Sequence, residues 1–445
     1  MSRAVRVLLI LSITLLSGSS AFAQKEPPET KELKEAEKFR ASAMMAGDSA
    51  ERKSRLGRAL NPLQQAMVKT PDNARVWLVA GQVYAALGEY ARADSAFVKA
   101  QQLHPAYADE ITNQRLGAWA AAFNAGVELM DQRKYDEAIT MMQTAETMYA
   151  ERPESKMNLA ALYANKGDVT RAEAFFRSVL ELTNSPAKTK LKPEDAAQWG
   201  RFAEMATINL AQMIGQRGVD AFEHERYDEA IRFFRDAHAL NAQARDYAYN
   251  LAQSLYAKAR QQEQARTKLL EEEKTARVKK DLKTANAKAA EAKQLAAELV
   301  AAYNEVEPLV TKTRIVDPNN EDVYLLLMRA HRVRGDLSPT GPTKTDYTKR
   351  AEELLRQHQA LEAEVLGISI TPGGGEAIVR GELRNLKLSP GTPVKVRMTL
   401  LGLTGSPVGE EEVSVTAPAA QQTAKFEMRT KLNGELAAWK YQIVK

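Results

Sequence analysis

A near-duplicated heptapeptide constrains the fold of this chain more than any other feature. Residues 133–139 read RKYDEAI and residues 225–231 read ERYDEAI, so the second copy begins 92 residues after the first. The neighbours match at the same spacing, because NAGVELMDQ precedes the first copy where QRGVDAFEH precedes the second, and NLA recurs at 158–160 and 250–252. The duplicated unit is therefore longer than a heptapeptide, and its helical composition indicates a pair of helical hairpins.

The clearest hairpin pattern lies just upstream, in the stretch ARVWLVAGQVYAALGEYARADSAFVKAQQLHP at residues 74–105. Small, aromatic and turn residues occur there at fixed intervals: Trp77, Gly81, Tyr84, Gly88, Ala93, Phe97, Ala100 and Pro105. This spacing resembles the tetratricopeptide repeat, a hairpin of about 34 residues. The resemblance implies that the small residues let two helices approach, that Trp77, Tyr84 and Phe97 fill the space between hairpins, and that hairpins stack into a solenoid.

Weaker copies on both sides extend this hairpin into an array, and the fold class that we predict is mainly α. A linker with the start of a helix at 24–39 precedes a solenoid over 40–366. Its hairpins are expected near 40–73, 74–107, 119–152, 153–186, 211–244, 245–318 and 321–364. Helical lead-ins precede the hairpins that begin near 119 and 211. A generic Ala-rich bundle is the alternative, but it would need no 34-residue period.

One hairpin is predicted to be much longer than the others. Residues 245–307 contain neither Gly nor Pro and are dominated by Ala, Lys, Glu, Gln and Leu. A helix must nevertheless return to the array by residue 318, so we expect an elongated, coiled-coil-like hairpin with its tip at 279–283. Its Ala-rich seam is thin. A solvated arm is the default interpretation, and a partner-binding arm is the alternative.

After Gly367 the pattern changes from helical to alternating, which is typical of half-buried strands. In PVKVRMTLLG, for example, Val394, Val396 and Met398 share one face. Turn sequences such as LSPGTP separate several such runs, so a small all-β, immunoglobulin-like sandwich is predicted over 367–445. The order of these runs is similar to the bacterial FxLYD-type sandwich, although residues 398–402, MTLLG, replace the motif that gives that family its name.

The N-terminus has the three parts of a secretory signal: basic MSRAVR, an apolar run at 7–16, and small residues ending in AFA. We expect residues 1–23 to be a signal peptide cleaved after Ala23, which would place the protein in the periplasm or outside the cell. An uncleaved anchor is the alternative, but the run is shorter than the ~20 residues that span a bilayer. The chain has no Cys, so no disulfide stabilises it there.

Composition and motifs exclude several classes of function. Removal of Arg3 and Arg6 lowers the formal net charge from +5 to +3, and acidic residues alternate with the basic ones, so a nucleic-acid partner is not expected. None of the five His has a metal-ligand spacing, and His224 beside Glu225 is best interpreted as a solvent-facing pair. No nucleophile elbow or Cys nucleophile is present. We therefore expect no enzyme activity, no metal and no cofactor.

The remaining candidate site is the inner groove that the resemblance implies, lined by the first helix of each hairpin. Asn124, Asn158 and Asn250 fall at the same inner position of three hairpins. An asparagine side chain both donates and accepts, so such a row can bind the main chain of a partner. The alternative is that these residues only cap or solvate the helices. The same groove should also contain Asn165, Arg75, Phe123, Met157 and Tyr249.

These features predict a non-enzymatic scaffold or adaptor of the bacterial cell envelope that binds peptides or helical segments of other envelope proteins. Met44 and Asp48 stand where a carboxylate-clamping member of the repeat family would carry Lys and Asn, which argues against capture of a C-terminal carboxylate. The mature chain contains no segment expected to span a membrane. An alternative is a structural envelope component that uses the elongated hairpin or the sandwich for its contacts, and an enzyme with an unrecognised site is a third.

Overall fold

The computed structural model describes residues 27–338 and 341–444, apart from the side chain of Pro342. The expected signal peptide, residues 1–23, lies outside the described residues. The described chain divides into two compact units, one ending at Ala203 and the other beginning at Glu204. Each unit is described by itself below.

Helices occupy the chain from Lys31 to Gln359, and strands follow. The α-helices are α1 Lys31–Met44, α2 Ser49–Lys69, α3 Ala74–Leu87, α4 Tyr90–Leu103, α5 Ala108–Asp131, α6 Tyr135–Met148, α7 Pro153–Asn165, α8 Val169–Thr183, α9 Pro193–Glu223, α10 Tyr227–Leu240, α11 Arg245–Val278, α12 Leu282–Val316, α13 Glu321–Leu337 and α14 Pro342–Gln359. The strands are β1 Ala363–Gly373, β2 Glu376–Asn385, β3 Pro393–Leu401, β4 Pro407–Thr416, β5 Thr423–Lys431 and β6 Ala438–Val444.

The solenoid is built from a size match between the two helices of each hairpin. A Cβ added to Gly81 in α3 would lie 2.5 Å from the Phe97 ring of α4. The next hairpin has the same contact between two residues with the same sixteen-residue separation, because a Cβ on Gly126 would lie 2.8 Å from Met142. A missing side chain on the first helix therefore makes room for a large one on the second, which explains the small residues of the repeat.

The turns of several hairpins contain a residue in the left-handed backbone region. Gly88 and Gly167 supply it in two hairpins, with φ of 79° and 76°. At the equivalent position the duplicated heptapeptide places Arg133 and Glu225, with φ of 61° and 57°. A residue with a Cβ is strained in the left-handed backbone region, so Arg133 and Glu225 carry the same kind of conformational strain.

Several details differ from the sequence-based expectations. Helix α1 begins at Lys31, upstream of the expected start of the array near residue 40, and β1 begins at Ala363, before residue 367. Trp77 does not fill the space between hairpins as predicted, because its ring is partly exposed and its Nε1 donates to the Pro71 carbonyl at 2.8 Å. The two predicted lead-ins are helical, and they are continuous with the rest of α5 and α9.

The elongated hairpin consists of α11 and α12, which are 34 and 35 residues long and are joined by residues 279–281. Its base belongs to the core of the second unit, where Leu255 and Tyr303 pack with Leu327 of α13. Farther out, small residues such as Ala276 and Ala285 are buried. The distal part of this hairpin, residues 264–298, is called the arm below.

The strands form two antiparallel sheets of three strands each, ordered β1-β2-β5 and β4-β3-β6. On β3 the residues Val394, Val396 and Met398 are buried, as the alternating pattern predicts, and they share one core with Val379 and Met428 of the other sheet. The C-terminal region is therefore a two-sheet β-structure around a single core.

Polar contacts attach these strands to the helices of the same unit. The Asn241 side chain, which follows α10, donates to the Ala437 carbonyl at 2.7 Å. Arg384 of β2 donates to Glu321 of α13 at 2.6 Å, and the backbone N–H of Glu321 donates to Glu364 of β1 at 2.9 Å. Burial raises the pKa of Glu364, which is therefore held in a largely dry interface.

Candidate partner-binding surface

The structure separates the eight predicted groove residues into buried and accessible groups. Phe123, Met157 and Asn158 are buried, so the expectation that they face an open groove is corrected. Phe123 stacks on Trp119 with ring centroids 5.0 Å apart, which places it inside the hairpin stack. Asn124 and Asn165 are exposed. The remaining three, Arg75, Tyr249 and Asn250, are half-buried.

The inner face of α7 is closed. Glu154 is 1% exposed and Asn158 is 3% exposed, and Nδ2 of Asn158 has no partner within the described part of the chain. Burial raises the pKa of Glu154, opposed by the charge of Arg152, and Asp195 at the start of α9 raises it further. The lead-in of α9 therefore lies close enough to α7 to act on its inner face, which sequence spacing could not reveal.

Arg75 is also committed to a contact within the chain. Its guanidinium pairs with Glu37 of α1, with Nη2 3.0 Å from the carboxylate oxygen. Such a half-buried pair fixes the arginine against the neighbouring helix rather than presenting it to a ligand. Tyr249 is half-buried and accepts a hydrogen bond from Gln253, which lines a cavity described below.

Helix α11 presents Tyr249, Gln253 and Tyr256 at intervals of four and three residues, which places them on one helical face. Nε2 of Gln253 donates to the Tyr249 hydroxyl at 2.6 Å, and the Arg245 guanidinium lies 4.6 Å from the centroid of the Tyr249 ring. Burial raises the pKa of Tyr249, so its hydroxyl stays protonated at neutral pH. This face thus combines neutral tyrosine and glutamine side chains with the charged Arg245.

A cavity of about 320 Å³ opens beside this face. Phe222, at the end of α9, meets Tyr227 of α10 edge-on, with ring centroids 5.6 Å apart, and these two rings form one wall. The other lining residues are Glu225, Gln253, Tyr256, Ala257, Arg260, Gln261 and Gln264. We call this set, together with Tyr249, the α9–α11 pocket.

The α9–α11 pocket combines aromatic walls with three glutamine amides. Each amide can donate to a carbonyl and accept from an N–H, which is the pattern of a peptide main chain. The aromatic rings can cover an apolar side chain from the same peptide. Sequence reasoning reached Tyr249 but missed Gln253 and Tyr256, although their four- and seven-residue spacing from Tyr249 was a usable signal.

The described residues show no sign of a metal or membrane-spanning function. No group of three or more His, Asp or Glu within residues 27–338 and 341–444 is arranged to hold a metal ion. Across the same ranges, none of the helices combines the length and the apolar character that a bilayer span requires.

Two stretches of the chain, residues 44–108 and 123–187, match the family model described as tetratricopeptide repeat. These two stretches are therefore similar to tetratricopeptide repeats, and the fold is a TPR-like helical solenoid followed by two antiparallel sheets. Proteins with this repeat are general scaffolds for protein–protein interaction. No curated protein sequence matches the chain.

Solved structures similar to the chain include YrrB, described as a TPR protein with an unusual peptide-binding site, at 15% identity and a TM-score of 0.20 over 52% of this chain and 91% of that one. PilF of Pseudomonas aeruginosa is 18% identical, with a TM-score of 0.17, over 58% and 93% of the two chains. The C-terminal part of a TPR repeat-containing protein from Cytophaga hutchinsonii is 13% identical, with a TM-score of 0.21, over 74% and 95%.

Proposed function

We propose that this protein is an exported, non-enzymatic adaptor of the bacterial cell envelope, and that it binds an extended or helical segment of a partner protein in the α9–α11 pocket. The observation that carries the proposal is the cavity of about 320 Å³ on the inner face of α11, where glutamine amides adjoin aromatic rings. The tetratricopeptide repeats support a role in protein–protein interaction.

The chemistry of the pocket favours main-chain recognition over recognition of a specific charge. Gln253, Gln261 and Gln264 offer donors and acceptors, whereas Glu225 and Arg260 contribute opposite charges. Hydrogen bonds to a peptide backbone give affinity with little dependence on sequence. An apolar side chain resting on Phe222 and Tyr256 would add selectivity.

Two further parts of the proposal rest on the sequence. Export is supported by the signal-like residues 1–23 and by the absence of Cys, which suits an oxidising compartment. The immunoglobulin-like character of the C-terminal sandwich is supported by its alternating strands and its two antiparallel sheets.

The second candidate is a structural envelope component that makes its contacts through the elongated hairpin or the sandwich. The observation that favours it is the exposure of the hairpin tip, where Val278 and Leu282 are largely open to solvent. In that case the α9–α11 pocket would remain empty in cells.

Site-specific photo-crosslinking in cells of the source organism separates the two candidates. A benzophenone amino acid is placed at one position at a time: Gln264 in the pocket, Val278 at the tip, and Lys425 on β5, all of which are exposed. The adaptor proposal predicts that position 264 yields a discrete crosslinked protein. Gln253→Ala combined with Tyr256→Ala should abolish that product.

The matched control is Gln65→Ala combined with Val68→Ala on α2, two exposed residues that do not line the pocket. This variant should keep the product at position 264. Crosslinks confined to positions 278 or 425, unaffected by the pocket variant, would overturn the adaptor proposal in favour of the structural one.

A further inference from the structure

The tip of the elongated hairpin combines two exposed apolar side chains with a cluster of cations. Val278 ends α11 and is 78% exposed, and Leu282 begins α12 and is 60% exposed. Exposed large apolar residues at a helix end gain nothing for the fold, because they are not removed from water. Val278 and Leu282 therefore leave exposed apolar area on either side of one turn.

The residues around this apolar pair are strongly basic. Between 274 and 283 the chain carries five basic residues, Lys274, Arg277, Lys279, Lys280 and Lys283, against a single acid, Asp281. That acid is used locally, because its Oδ1 accepts from the Thr284 N–H at 3.1 Å and caps α12. Arg277 pairs with Glu273 at 2.8 Å, whereas the four lysines form no ion pair with any described residue.

The arm holds this tip away from the base of its own hairpin. A helix of 34 residues is about 50 Å long at 1.5 Å per residue. In the distal part, the ion pair of Lys288 with Glu272 at 3.2 Å joins α12 to α11. Residues 277–284 are all exposed. The tip is therefore free to meet a flat surface without steric interference from the helices at the base of the arm.

We propose that the tip, residues 274–283, docks on an anionic membrane surface, with Val278 and Leu282 entering the interfacial layer and the lysines contacting lipid phosphates. Charge complementarity favours this occupant, because clustered lysines beside apolar side chains are the general pattern of peripheral membrane attachment. A protein partner fits less well. A stable protein interface buries roughly 800 Å² on each side around an apolar core, and one turn with two apolar side chains provides far less.

The test measures co-sedimentation of the full chain with vesicles of phosphatidylglycerol and phosphatidylethanolamine, and with vesicles of phosphatidylcholine alone. The apolar variant is Val278→Ser with Leu282→Ser, and the charge variant is Lys279→Gln, Lys280→Gln and Lys283→Gln. Each should lower the partition coefficient for anionic vesicles at least tenfold. Binding to phosphatidylcholine should be weak, and added salt should reduce binding to the anionic vesicles because it screens the lysines.

Matched controls change the same chemistry elsewhere. Met45→Ser with Val68→Ser replaces two other highly exposed apolar residues, and Lys53→Gln with Lys190→Gln and Lys192→Gln removes three other exposed lysines. These controls should bind like the unmodified protein. Residues 7–16 are present in all the proteins, so a difference in vesicle binding between two variants arises from the substituted positions.

A second measurement reports insertion directly. The chain lacks Cys, so Val278→Cys accepts a single environment-sensitive fluorophore, with Val68→Cys as the control position. Anionic vesicles should shift the emission at 278 to the blue and leave that at 68 unchanged. The proposal is overturned if the tip variants bind like the controls, if no protein binds anionic vesicles, or if the probe at 278 does not respond. Capture of an acidic protein by the tip without vesicle binding would also overturn it.

Discussion

The two copies of the duplicated unit have the same hairpin geometry but opposite surroundings. In the first, α5–α8, the inner position of α7 holds Glu154, which is 1% exposed. In the second, α9–α12, the residue 92 positions later is Asp246 on α11, whose side chain is 58% exposed. The same kind of residue at the same place in the repeat is therefore buried in one copy and open in the other.

This difference shows that the repeat fixes how a hairpin packs internally, whereas neighbouring segments decide whether its inner face is available. Both copies pair a glycine with a large residue sixteen positions later, and both join Asp136 or Asp228 to a lysine thirty positions on. In the first copy, the lead-in of α9 lies close to the inner face of α7. The second carries the α9–α11 pocket instead.

The largest difference between the copies is expected when a methyl group is added at the shared glycine. Gly218→Ala should destabilise the protein by about 1–3 kcal/mol, because the new Cβ would lie 2.8 Å from the rigid ring of Phe234. Gly126→Ala meets the flexible terminal methyl of Met142, which can move, and the better helix propensity of alanine offsets the crowding. Thermal unfolding followed by circular dichroism measures both. Equal losses would show that the two hairpins pack identically.

A smaller, pH-dependent difference is expected at the inner acids. Burial raises the pKa of Glu154 in the folded state, so its contribution to stability is fully present below the unfolded pKa and is lost as the pH rises through the folded pKa. The unmodified protein should therefore lose stability relative to Glu154→Gln as the pH is raised from 4 towards 8. Urea unfolding at a series of pH values provides the comparison.

Asp246→Asn is the matched control for this experiment, because Asp246 occupies the equivalent position of the second copy and its side chain is 58% exposed. A pH trend of the opposite sign for Glu154→Gln would mean that the fold stabilises ionised Glu154. The conclusion that the inner face of α7 is closed to water would then be wrong.

The smallest effect is expected at the shared turn. Arg133→Gly and Glu225→Gly should each stabilise the protein by about 0.5 kcal/mol, since glycine relieves the left-handed strain but loses more entropy on folding. Gly88→Ala, at the equivalent position of another hairpin, should destabilise it by a similar or larger amount. Denaturant midpoints of the three variants test this. Destabilisation by both glycine substitutions would indicate that Arg133 and Glu225 make contacts that outweigh the strain.

The fold could be predicted well because its signals are local. The spacing of Gly81 and Phe97 predicted a hairpin, the absence of Gly and Pro over 245–307 predicted the elongated hairpin, and the alternation around Val396 predicted strands. Each of these depends on contacts within one helix pair or one strand pair.

The candidate site could be predicted only in part because its exposure is set by segments distant in sequence. Register alone placed Met157 and Tyr249 at equivalent inner positions, and the structure buries the first but leaves the second half-buried and bonded to Gln253 of the α9–α11 pocket. No pattern in the sequence of the α9 lead-in predicts that it lies close to α7. Gln253 and Tyr256 were missed because only one row of the helical face was followed.

The most direct test of the difference between the inner faces of the two copies compares the rates of cysteine labelling at residues 154 and 246. In the Cys-free chain, Glu154→Cys and Asp246→Cys each introduce a single thiol. A maleimide should react promptly with the thiol at 246 in the native protein. It should react with the thiol at 154 only as fast as the protein unfolds locally. In urea both thiols should react at equal rates. Equal rates under native conditions would contradict this expectation, because the inner faces of the two copies would then be equally open.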